Sequence, residues 1–343
     1  MLILSYKNNQ NLYKMLYPIK FKPIYKQRIW GGDGLKKFLN KHDAPENCGE
    51  SWEIACVNND ISLVENGFLA GNNLAELIEI YMGDLVGDKV YEVFGNNFPL
   101  LIKFIDAKDD LSYQVHPADE YAYENHNSFG KTEMWYIMNV EKGANLVAGF
   151  SKKTNQTEFL KYIEEGKLNE IVNHVPVKPG DIVYLPSGRI HSTGKGIMLA
   201  EIQQSSDITY RVWDFNRIDK DGKARDLHIE DALKVLDFSH LENPLTEYKK
   251  LENASSPIIK SEYFICNSLN VSNILEHDYA RVDSFVILIC VNGSTKIKAN
   301  NESLNISKGE TLLIPAEITE VRIEAINGNV EFLEVFIDSD RLK

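Results

Sequence analysis

Three short segments carry side chains of the types that bind metal ions. LSYQVHP contains Gln114 and His116, which are two residues apart and therefore share one face of a strand. GKTEMWY contains Lys131 and Glu133, which share a face of the next strand for the same reason. GDIVYLPSGRIH ends at His191, just after a tight Pro-x-Gly turn. Two imidazoles, a carboxylate and an amide oxygen form a mixed set suited to zinc or another divalent first-row metal.

The spacing around His191 carries more weight than any single residue does. An isolated histidine on a strand is more often a packed or surface residue than a ligand, and Glu133 alone also fits the polar face of an edge strand. The pattern G-x5-P-x-G-x2-H, however, is fulfilled at Gly180, Pro186, Gly188 and His191. It is the second cupin motif, and the Gln-x-His followed by Glu resembles a modified first one. Three or four protein ligands leave room for water or a substrate hydroxyl, as in a catalytic site.

Short strands have to position these residues. From Tyr17 onward, short apolar runs are interrupted by Gly, Pro and Asn, which is typical of a protein with many short strands. Three stretches have instead the 3.6-residue periodicity of amphipathic helices, at about 73–94, 157–172 and 229–236. Residues 1–14 are polar and irregular, and we expect a loose extension that contributes nothing to the fold. The chain is therefore predicted to be mainly β, with α-helical insertions.

The strand pattern occurs twice in the same order. Residues 132–147 and 283–298 each contain an apolar strand, a glycine turn and a further strand. Residues 177–202 and 306–335 each begin at a turn of glycine and an acidic residue, run through an apolar strand to a proline and return in another strand. Two ordered matches are unlike a chance repeat of one motif. We predict a double cupin, formed by two jelly-roll β-barrels.

The length and the repeat together indicate two domains. A chain of 343 residues is long enough for two domains of ordinary size. We place the catalytic cupin domain, with the helical insertions, at 15–245. We place a C-terminal cupin-like domain at 246–343.

The second copy lacks the pattern of ligands. Aligning the two glycine turns brings Glu320 opposite His191, and no Gln-x-His precedes the paired strand. Asp283 and Ser284 stand near the start of that strand, where the first copy has Glu133. Because a metal ion of this type needs three or four well-placed ligands, we expect one ion per chain, held in the first barrel.

Composition excludes several classes of partner. The chain has 37 Lys and Arg against 50 Asp and Glu, a net charge of −13, and no basic block, so we expect no nucleic acid to bind. An anionic substrate would need a few cations gathered in a pocket. No apolar stretch is long enough to span a membrane, and the N-terminus lacks the features of a signal peptide. The cysteines form no CxxC pair, and a cytoplasmic protein with reduced thiols is expected.

Five segments resemble the type I mannose-6-phosphate isomerases in their compact bacterial form. They are IWGG, GESWE, FPLLIKFIDAKDDLSYQVHP, GKTEMWY and SSDITYR, and the similarity covers nearly the whole chain from Tyr17. The resemblance implies a zinc-dependent double cupin that interconverts mannose 6-phosphate and fructose 6-phosphate. It also implies the ligands of one Zn²⁺, which are Gln114, His116, Glu133 and His191. One departure is Lys195, where the family usually has an asparagine after the second cupin histidine.

Three polar residues are candidates for catalysis. An aldose–ketose isomerisation removes a proton beside a carbonyl and stabilises an enediolate. Glu201 lies on the strand that returns from His191 and is the candidate base, the alternative being a solvated carboxylate. Lys131 should point toward the metal pocket, where it can move protons or hold a sugar oxygen, unless it is simply exposed. Arg211 matches the active-site arginine of the family and suits contact with an enediolate or a phosphate, the alternative being a surface ion pair.

Three further residues are candidates for binding the substrate. Lys103 interrupts an apolar run and needs solvent, a partner or a cavity, and we expect a cavity near the site. Trp30 is a candidate for the pocket wall, although a tryptophan in a strand is often part of the core. No phosphate-binding loop is visible, so the phosphate is expected to meet a dispersed set drawn from Ser112, Lys131 and Arg211.

Other functions fit the same fold. A cupin isomerase for another hexose phosphate and an iron oxygenase keep the barrel and change the reaction. A non-catalytic cupin that binds a sugar phosphate would be favoured if a ligand or Arg211 were missing, and neither is. We expect a hexose 6-phosphate as the substrate and a monomer or weak homodimer.

Overall fold

The computed structural model describes residues 15–218, 221–300 and 302–342, and it is mainly β. The extension predicted at 1–14 lies outside the described residues. The strands of the first half are β1 Phe21–Lys22, β2 Ile24–Gly32, β3 Cys48–Ile54, β4 Cys56–Val57, β5 Asp60–Ile61, β6 Leu63–Val64, β7 Leu100–Ala107, β8 Tyr113–Val115, β9 Glu133–Val140, β10 Asn145–Phe150, β11 Val172–Pro176, β12 Ile182–Leu185, β13 His191–Ser192, β14 Ile197–Gln204 and β15 Tyr210–Trp213. Those of the second half are β16 Ala254–Lys260, β17 Ile265–Val271, β18 Ile274–Asp278, β19 Val286–Ala299, β20 Glu302–Ser307, β21 Thr311–Ile314 and β22 Glu320–Phe336.

Helices lie in all three segments whose periodicity indicated them. The helices are α1 Gly34–Leu39, α2 Leu74–Val86, α3 Asp88–Phe94, α4 Asp119–His126, α5 Gln156–Glu164 and α6 Ile229–Val235, with short 3₁₀ turns at Leu168–Glu170 and Ser339–Arg341. The sequence analysis did not predict α1 and α4, which are only six and eight residues long. Asn73 caps α2 in a reciprocal pair of hydrogen bonds with Glu76, so the start of this helix is specified locally. None of the helices in the described ranges is long and apolar enough to cross a membrane.

The first barrel is built from two antiparallel sheets. One has the strand order β12-β9-β14-β7-β2-β3 and the other β11-β10-β13-β8-β15. Side chains that alternate along the strands fill the space between the sheets, among them Trp135 and Ile137 of β9, Leu199 of β14, and Leu146 and Ala148 of β10. This facing pair of sheets is the jelly roll that the sequence predicts.

The second barrel repeats this topology. Its strands β21-β19-β22-β17-β16 are paired in the same order as β12-β9-β14-β7-β3 of the first barrel. The long strands β19 and β22 continue into the other side of the barrel, where they pair with β20 and β18. The prediction of a double cupin is therefore confirmed.

The strand register corrects one detail of the repeat. Glu133 pairs with Leu185, the last residue of β12, whereas Ile314, the last residue of β21, pairs with Val286. Val286 therefore occupies the position of Glu133, rather than Asp283 or Ser284. The sequence comparison misplaced it because the loop before the strand contributes nothing to the register.

The two barrels share a core. The side chains of β9 and β14 that point away from the first barrel, such as Met134 and Ile202, belong to one buried cluster with Ile287 of β19 and Leu333 of β22. Leu77 of α2 joins the same cluster. Both faces of β9 and β14 are thus covered. This explains why most side chains of these strands are apolar, whichever face they lie on, with only a few polar ones among them.

A polar cluster occupies the interior of the second barrel around Glu334. By register, Glu334 corresponds to Glu201 of the first barrel, since Glu201 pairs with Trp135 and Glu334 with the equivalent Leu288. The carboxylate is 2% exposed and lies 2.9 Å from His277 Nε2. It also accepts hydrogen bonds from three other groups, Tyr279 Oη at 2.9 Å and Ser255 Oγ and Asn267 Nδ2 at 2.8 Å each. Burial favours the neutral form, but His277, Asn267 and Ser255 lower the pKa of Glu334.

We expect Glu334→Gln to lower the free energy of unfolding by about 1–3 kcal/mol at neutral pH, because the amide cannot accept all of these hydrogen bonds. The pKa of Glu334 is lower in the folded than in the unfolded protein. The ionised carboxylate therefore contributes its full stabilisation at a pH above its pKa in the unfolded protein. This stabilisation is lost as the pH falls through its pKa in the folded protein. Urea titrations between pH 7 and pH 3 should show the difference from the parent protein shrinking with acid. The control is Glu331→Gln, which changes another glutamate of the same strand and breaks its pair with Lys250 at the surface. Equal stability of Glu334→Gln and the parent at pH 7 would contradict the assignment.

Candidate active site

Two histidines and a glutamate converge at one end of the first barrel. His116 directly follows β8, Glu133 opens β9 and His191 opens β13. One ligand atom from each lies within 4.8 Å of the other two, and the three residues are at most 1% exposed. The carboxylate lies between the rings, 3.5 Å from Nε2 of His116 and 3.4 Å from Nε2 of His191.

Backbone carbonyls orient both imidazoles. Nδ1 of His116 lies 2.8 Å from the carbonyl oxygen of Ile208, and Nδ1 of His191 lies 2.8 Å from that of Arg189. A carbonyl only accepts, so each ring donates its Nδ1 proton and presents the lone pair of Nε2 to the centre. Burial and the nearby ammonium of Lys131 lower the pKa of both rings, that of His191 to about 4. Both are therefore neutral at physiological pH, which is the form that binds metal ions.

The tight turn before His191 is fixed by a glycine. Gly188 has φ +87°, and a Cβ there would lie 2.8 Å from the carbonyl oxygen of Val235. Its amide donates to the carbonyl oxygen of His116 at 2.8 Å. The same glycine that allows the turn therefore ties the two histidine-bearing segments together.

Glu133 is a carboxylate with an unused oxygen. Its Oε1 is buried and has no hydrogen-bond partner among the described residues, whereas Oε2 accepts from Nζ of Lys131. Lys131 Nζ also donates to Nε2 of His116 at 3.0 Å. Burial, reinforced by the charge of Glu201, raises the pKa of Glu133. An orphaned carboxylate oxygen beside two Nε2 lone pairs fits a divalent cation well.

Gln114 lies beside this cluster. It is the direct cross-strand partner of His191, and its Nε2 lies 3.3 Å from the Nε2 of that ring. The amide oxygen, which is the atom able to bind a metal ion, reaches the same place when the amide group turns over. Gln114 is thus near enough to contribute, although the convergent set consists of His116, Glu133 and His191.

A second layer of charges surrounds Glu201. This residue pairs in register with Lys103 on one side and with Trp135 on the other. Its Oε1 lies 3.2 Å from Lys103 Nζ and 3.8 Å from Lys131 Nζ, and its Oε2 accepts from Trp135 Nε1 at 2.9 Å. Burial alone would raise its pKa, but the two ammonium groups lower the pKa of Glu201 to about 2. Glu201 is therefore ionised over the whole physiological range.

A cavity of about 500 Å³ opens above this cluster. Seven of the ten residues predicted for the site contribute to its wall: Trp30, Lys103, Ser112, Gln114, Lys131, Glu201 and Arg211. The other three are the buried His116, Glu133 and His191, which Gln114 and Lys131 connect to the cavity. The structure thus brings the predicted residues together, while their individual roles stay predictions.

The sequence analysis missed several charged residues of this wall. Arg28 donates to Glu50 through Nε at 2.9 Å and Nη2 at 3.1 Å, and Glu50 also accepts from Trp52 Nε1 at 2.7 Å. Lys103 Nζ lies 5.1 Å from the centre of the Trp52 ring. Glu50 and Trp52 are part of GESWE, so that motif could have suggested them. Arg225, which also lines the cavity, lies in no recognised motif.

Fold and site define the class of the protein, a double cupin with a candidate metal centre below a polar cavity. Residues 19–145 match the family described as phosphomannose isomerase type I, catalytic domain, and residues 255–337 match the mannose-6-phosphate isomerase cupin domain. The mannose-6-phosphate isomerase ManA of Bacillus subtilis is 36% identical over 314 residues, which are 90% of this chain and 96% of that protein. The chain belongs to the type I mannose-6-phosphate isomerase family.

Other relatives agree in sequence and in structure. A mannose-6-phosphate isomerase of Streptococcus mutans is 34% identical over 324 residues, 93% of this chain and 98% of that protein. The crystal structure of the mannose 6-phosphate isomerase from Bacillus subtilis superposes with a TM-score of 0.83 at 31% identity, covering 94% of this chain and all of that one. The resemblance inferred from the five segments is therefore confirmed.

We expect dialysed protein to retain one equivalent of divalent metal, and His191→Ala and Glu133→Gln to lose it while remaining folded. The ligands sit at one end of a barrel whose apolar strands provide the stability, so the site is separable from the core. Elemental analysis with circular dichroism on each variant checks both parts. His174→Ala, which changes an exposed histidine of β11, should keep the metal. Two equivalents in the parent, one of them retained after His116 and His191 are both replaced, would show a second site.

Proposed function

We propose that the protein is a zinc-dependent aldose–ketose isomerase that interconverts mannose 6-phosphate and fructose 6-phosphate through an enediolate. The observation that carries this proposal is the buried His116, Glu133 and His191 cluster below a cavity rich in cationic side chains. Membership of the family supports the substrate, since the named relatives are mannose-6-phosphate isomerases. The four cysteines are unpaired, which supports our expectation of a cytoplasmic protein.

We assign the zinc ligands as His116, Glu133 and His191, with Gln114 as the fourth. A nitrogen and oxygen set of this kind suits zinc and leaves a position for substrate. Held by these residues, zinc would supply a Lewis acid for negative charge on the sugar oxygens. Lys131 donates to the same carboxylate that would hold the ion, so its ammonium group would turn from Glu133 toward the cavity, which it also lines.

We assign proton transfer to Glu201 and Lys131. Glu201 is ionised and lines the cavity, as a base must, but a pKa of about 2 makes it a weak one while Lys103 and Trp135 hold its oxygens. A substrate hydroxyl that draws Lys103 away from Oε1 would strengthen the base. Burial opposes the charge of Lys131, but Glu133 and Glu201 raise its pKa, so Lys131 is protonated. It therefore carries the proton that a general acid transfers to a sugar oxygen, although the raised pKa alone makes it a weaker acid.

The cavity orients the substrate. The metal ligands lie deepest, so carbons 1 and 2 of the sugar belong at that end, and Trp30, Lys103 and Ser112 are the proposed contacts along the wall. Arg211 Nη1 donates to the carbonyl oxygen of Asp226 at 2.9 Å. Its buried Nε lacks a partner in the part of the chain that the structure describes. Because Arg211 lines the cavity, we assign its guanidinium group to contact with an enediolate or a phosphate oxygen.

A coupled assay on mannose 6-phosphate tests the proposal. We expect isomerisation by the purified protein, its loss after treatment with a chelator, and its return when zinc is added. The chelated protein should keep its far-ultraviolet circular dichroism, because the barrel does not depend on the metal. Zinc-loaded, folded protein without turnover would contradict the proposed function.

We expect Arg211→Ala to keep its metal and to lose about a hundredfold in kcat/KM. Removing a charge-assisted contact to a developing anion commonly costs about 3 kcal/mol in the transition state. Steady-state kinetics and metal analysis on the same sample check this. Arg341→Ala, which removes an exposed partner of Asp338, is the control. Unchanged kinetics in Arg211→Ala would leave this arginine without a role in the reaction.

A further inference from the structure

The segment that follows β15 gathers arginines around one carboxylate. Asp214 is 5% exposed and binds Arg225 in a bidentate pair, with Nε donating to Oδ2 at 2.7 Å and Nη2 donating to Oδ1 at 2.5 Å. Arg217 donates to the same Oδ1 through Nη2 at 2.5 Å, and through Nη1 to the carbonyl oxygen of Asp110. One carboxylate therefore fixes two guanidinium groups.

The backbone of this segment is held in an uncommon conformation. Phe215 and Asn216 have φ of +56° and +53°, a region that a bulky residue such as phenylalanine rarely adopts. The ring of Phe215 packs edge-on against Tyr113 at 5.4 Å, and the Arg217 guanidinium lies 5.3 Å from the ring centre. Strain of this kind persists only where the surrounding contacts maintain it. The position of the arginine cluster is therefore specified by packing on both sides.

The charges of the cavity are unevenly balanced. Arg28 is paired with Glu50, Lys103 with Glu201, and Lys131 with Glu133. Arg225, by contrast, shares Asp214 with Arg217, and Arg211 lines the cavity without an ion pair among the described residues.

The surroundings of Arg211 show the same imbalance. Burial is the main cause that lowers its pKa, and the charges of Arg225 and Arg217 lower it further, while Asp214 and Asp226 act in the opposite direction. Asp207 also lines the wall, where its carboxylate accepts from Asn58 at 3.0 Å. The excess of positive charge lies at Arg211 and Arg225.

We propose that Arg225 binds the phosphate of the hexose phosphate together with Arg211, and that Asp214 is a positioning residue that holds Arg225 for this contact. The proposal rests on the proposed function and adds to it the residues that make the site select a phosphorylated sugar. Nε and Nη2 of Arg225 donate to Asp214, so within the described ranges Nη1 is the nitrogen left for an anion. Arg211 lines the same cavity, where its Nη1 donates to the carbonyl oxygen of Asp226. A phosphate dianion matches the two guanidinium groups of Arg211 and Arg225 in charge. The nearby carboxylate of Asp214 does not cancel these charges, because it also pairs with Arg217.

The test compares Arg225→Gln, Arg225→Lys and Asp214→Asn with the parent, and Arg322→Gln is the matched control. Arg322 is an arginine held by Glu276 and Glu324 on the second barrel, and it does not line the cavity. Steady-state kinetics on mannose 6-phosphate give KM and kcat separately. Thermal shift with increasing inorganic phosphate gives an apparent Kd that does not depend on turnover.

Arg225→Gln should raise KM and the apparent Kd for phosphate by about ten- to a hundredfold, the usual cost of a lost charged hydrogen bond, with kcat nearly unchanged. Arg225→Lys should recover part of this loss. Asp214→Asn should also raise KM. If the role of Asp214 were purely structural, the variant would lose thermal stability and keep the KM of the parent. Arg322→Gln should match the parent.

Two results would overturn the proposal. One is parent-like KM and phosphate affinity in Arg225→Gln. The other, which applies if Arg225→Gln does not fold, is parent-like KM and phosphate affinity in both Arg225→Lys and Asp214→Asn. A parent protein that binds phosphate through Arg225 but does not isomerise mannose 6-phosphate would refute the proposed function and leave the anion site standing.

Discussion

Each charged group buried inside a β-barrel needs a neighbour of opposite charge, and this constraint organises the site. An isolated buried carboxylate or ammonium would lose its hydration without compensation. In the first barrel, Glu133, Lys131, Glu201 and Lys103 follow one another as alternating charges, each in contact with the next. This series of charges ends at Oε1 of Glu133, which has no hydrogen-bond partner within the described ranges and lies beside two imidazoles that present lone pairs. That oxygen is thus a place for a cation.

The precision of the site comes from strands that are covered on both faces. β9 and β14 turn Trp135 and Glu201 toward the first barrel, and Met134 and Ile202 toward the core shared with the second barrel. A strand packed on both sides has little freedom to shift, so the carboxylates it carries keep their positions. The second barrel therefore supports the chemistry of the first by packing against the back of its largest sheet.

The sequence allowed the site to be predicted wherever its signals were local. A spacing of two residues puts Gln114 with His116, and Lys131 with Glu133, on one face of a strand, whatever the rest of the chain does. Arg28 and Arg225 could not be found in this way, because tertiary packing brings distant loops to the same cavity wall. Glu201 could be placed on a strand, but its low pKa depends on Lys103, its partner across the sheet and 98 residues away in the chain. The position of Val286 was missed because strand register is set by pairing and not by loop length.

The comparison of Glu201 with Glu334 shows how one position in a repeated fold acquires two different environments. Both carboxylates are buried at the same place in their barrels, and both are held ionised. Around Glu201 the charged partners are ammonium groups on long, flexible side chains, and a cavity lies above the strand. Around Glu334 the partners are His277, Tyr279, Ser255 and Asn267, whose shorter or more rigid side chains saturate the carboxylate directly. With Val286 in the place of Glu133, the second barrel also lacks the carboxylate that would bind a metal ion. The difference between the two barrels thus lies in the partners of a carboxylate whose place in the fold is common to both.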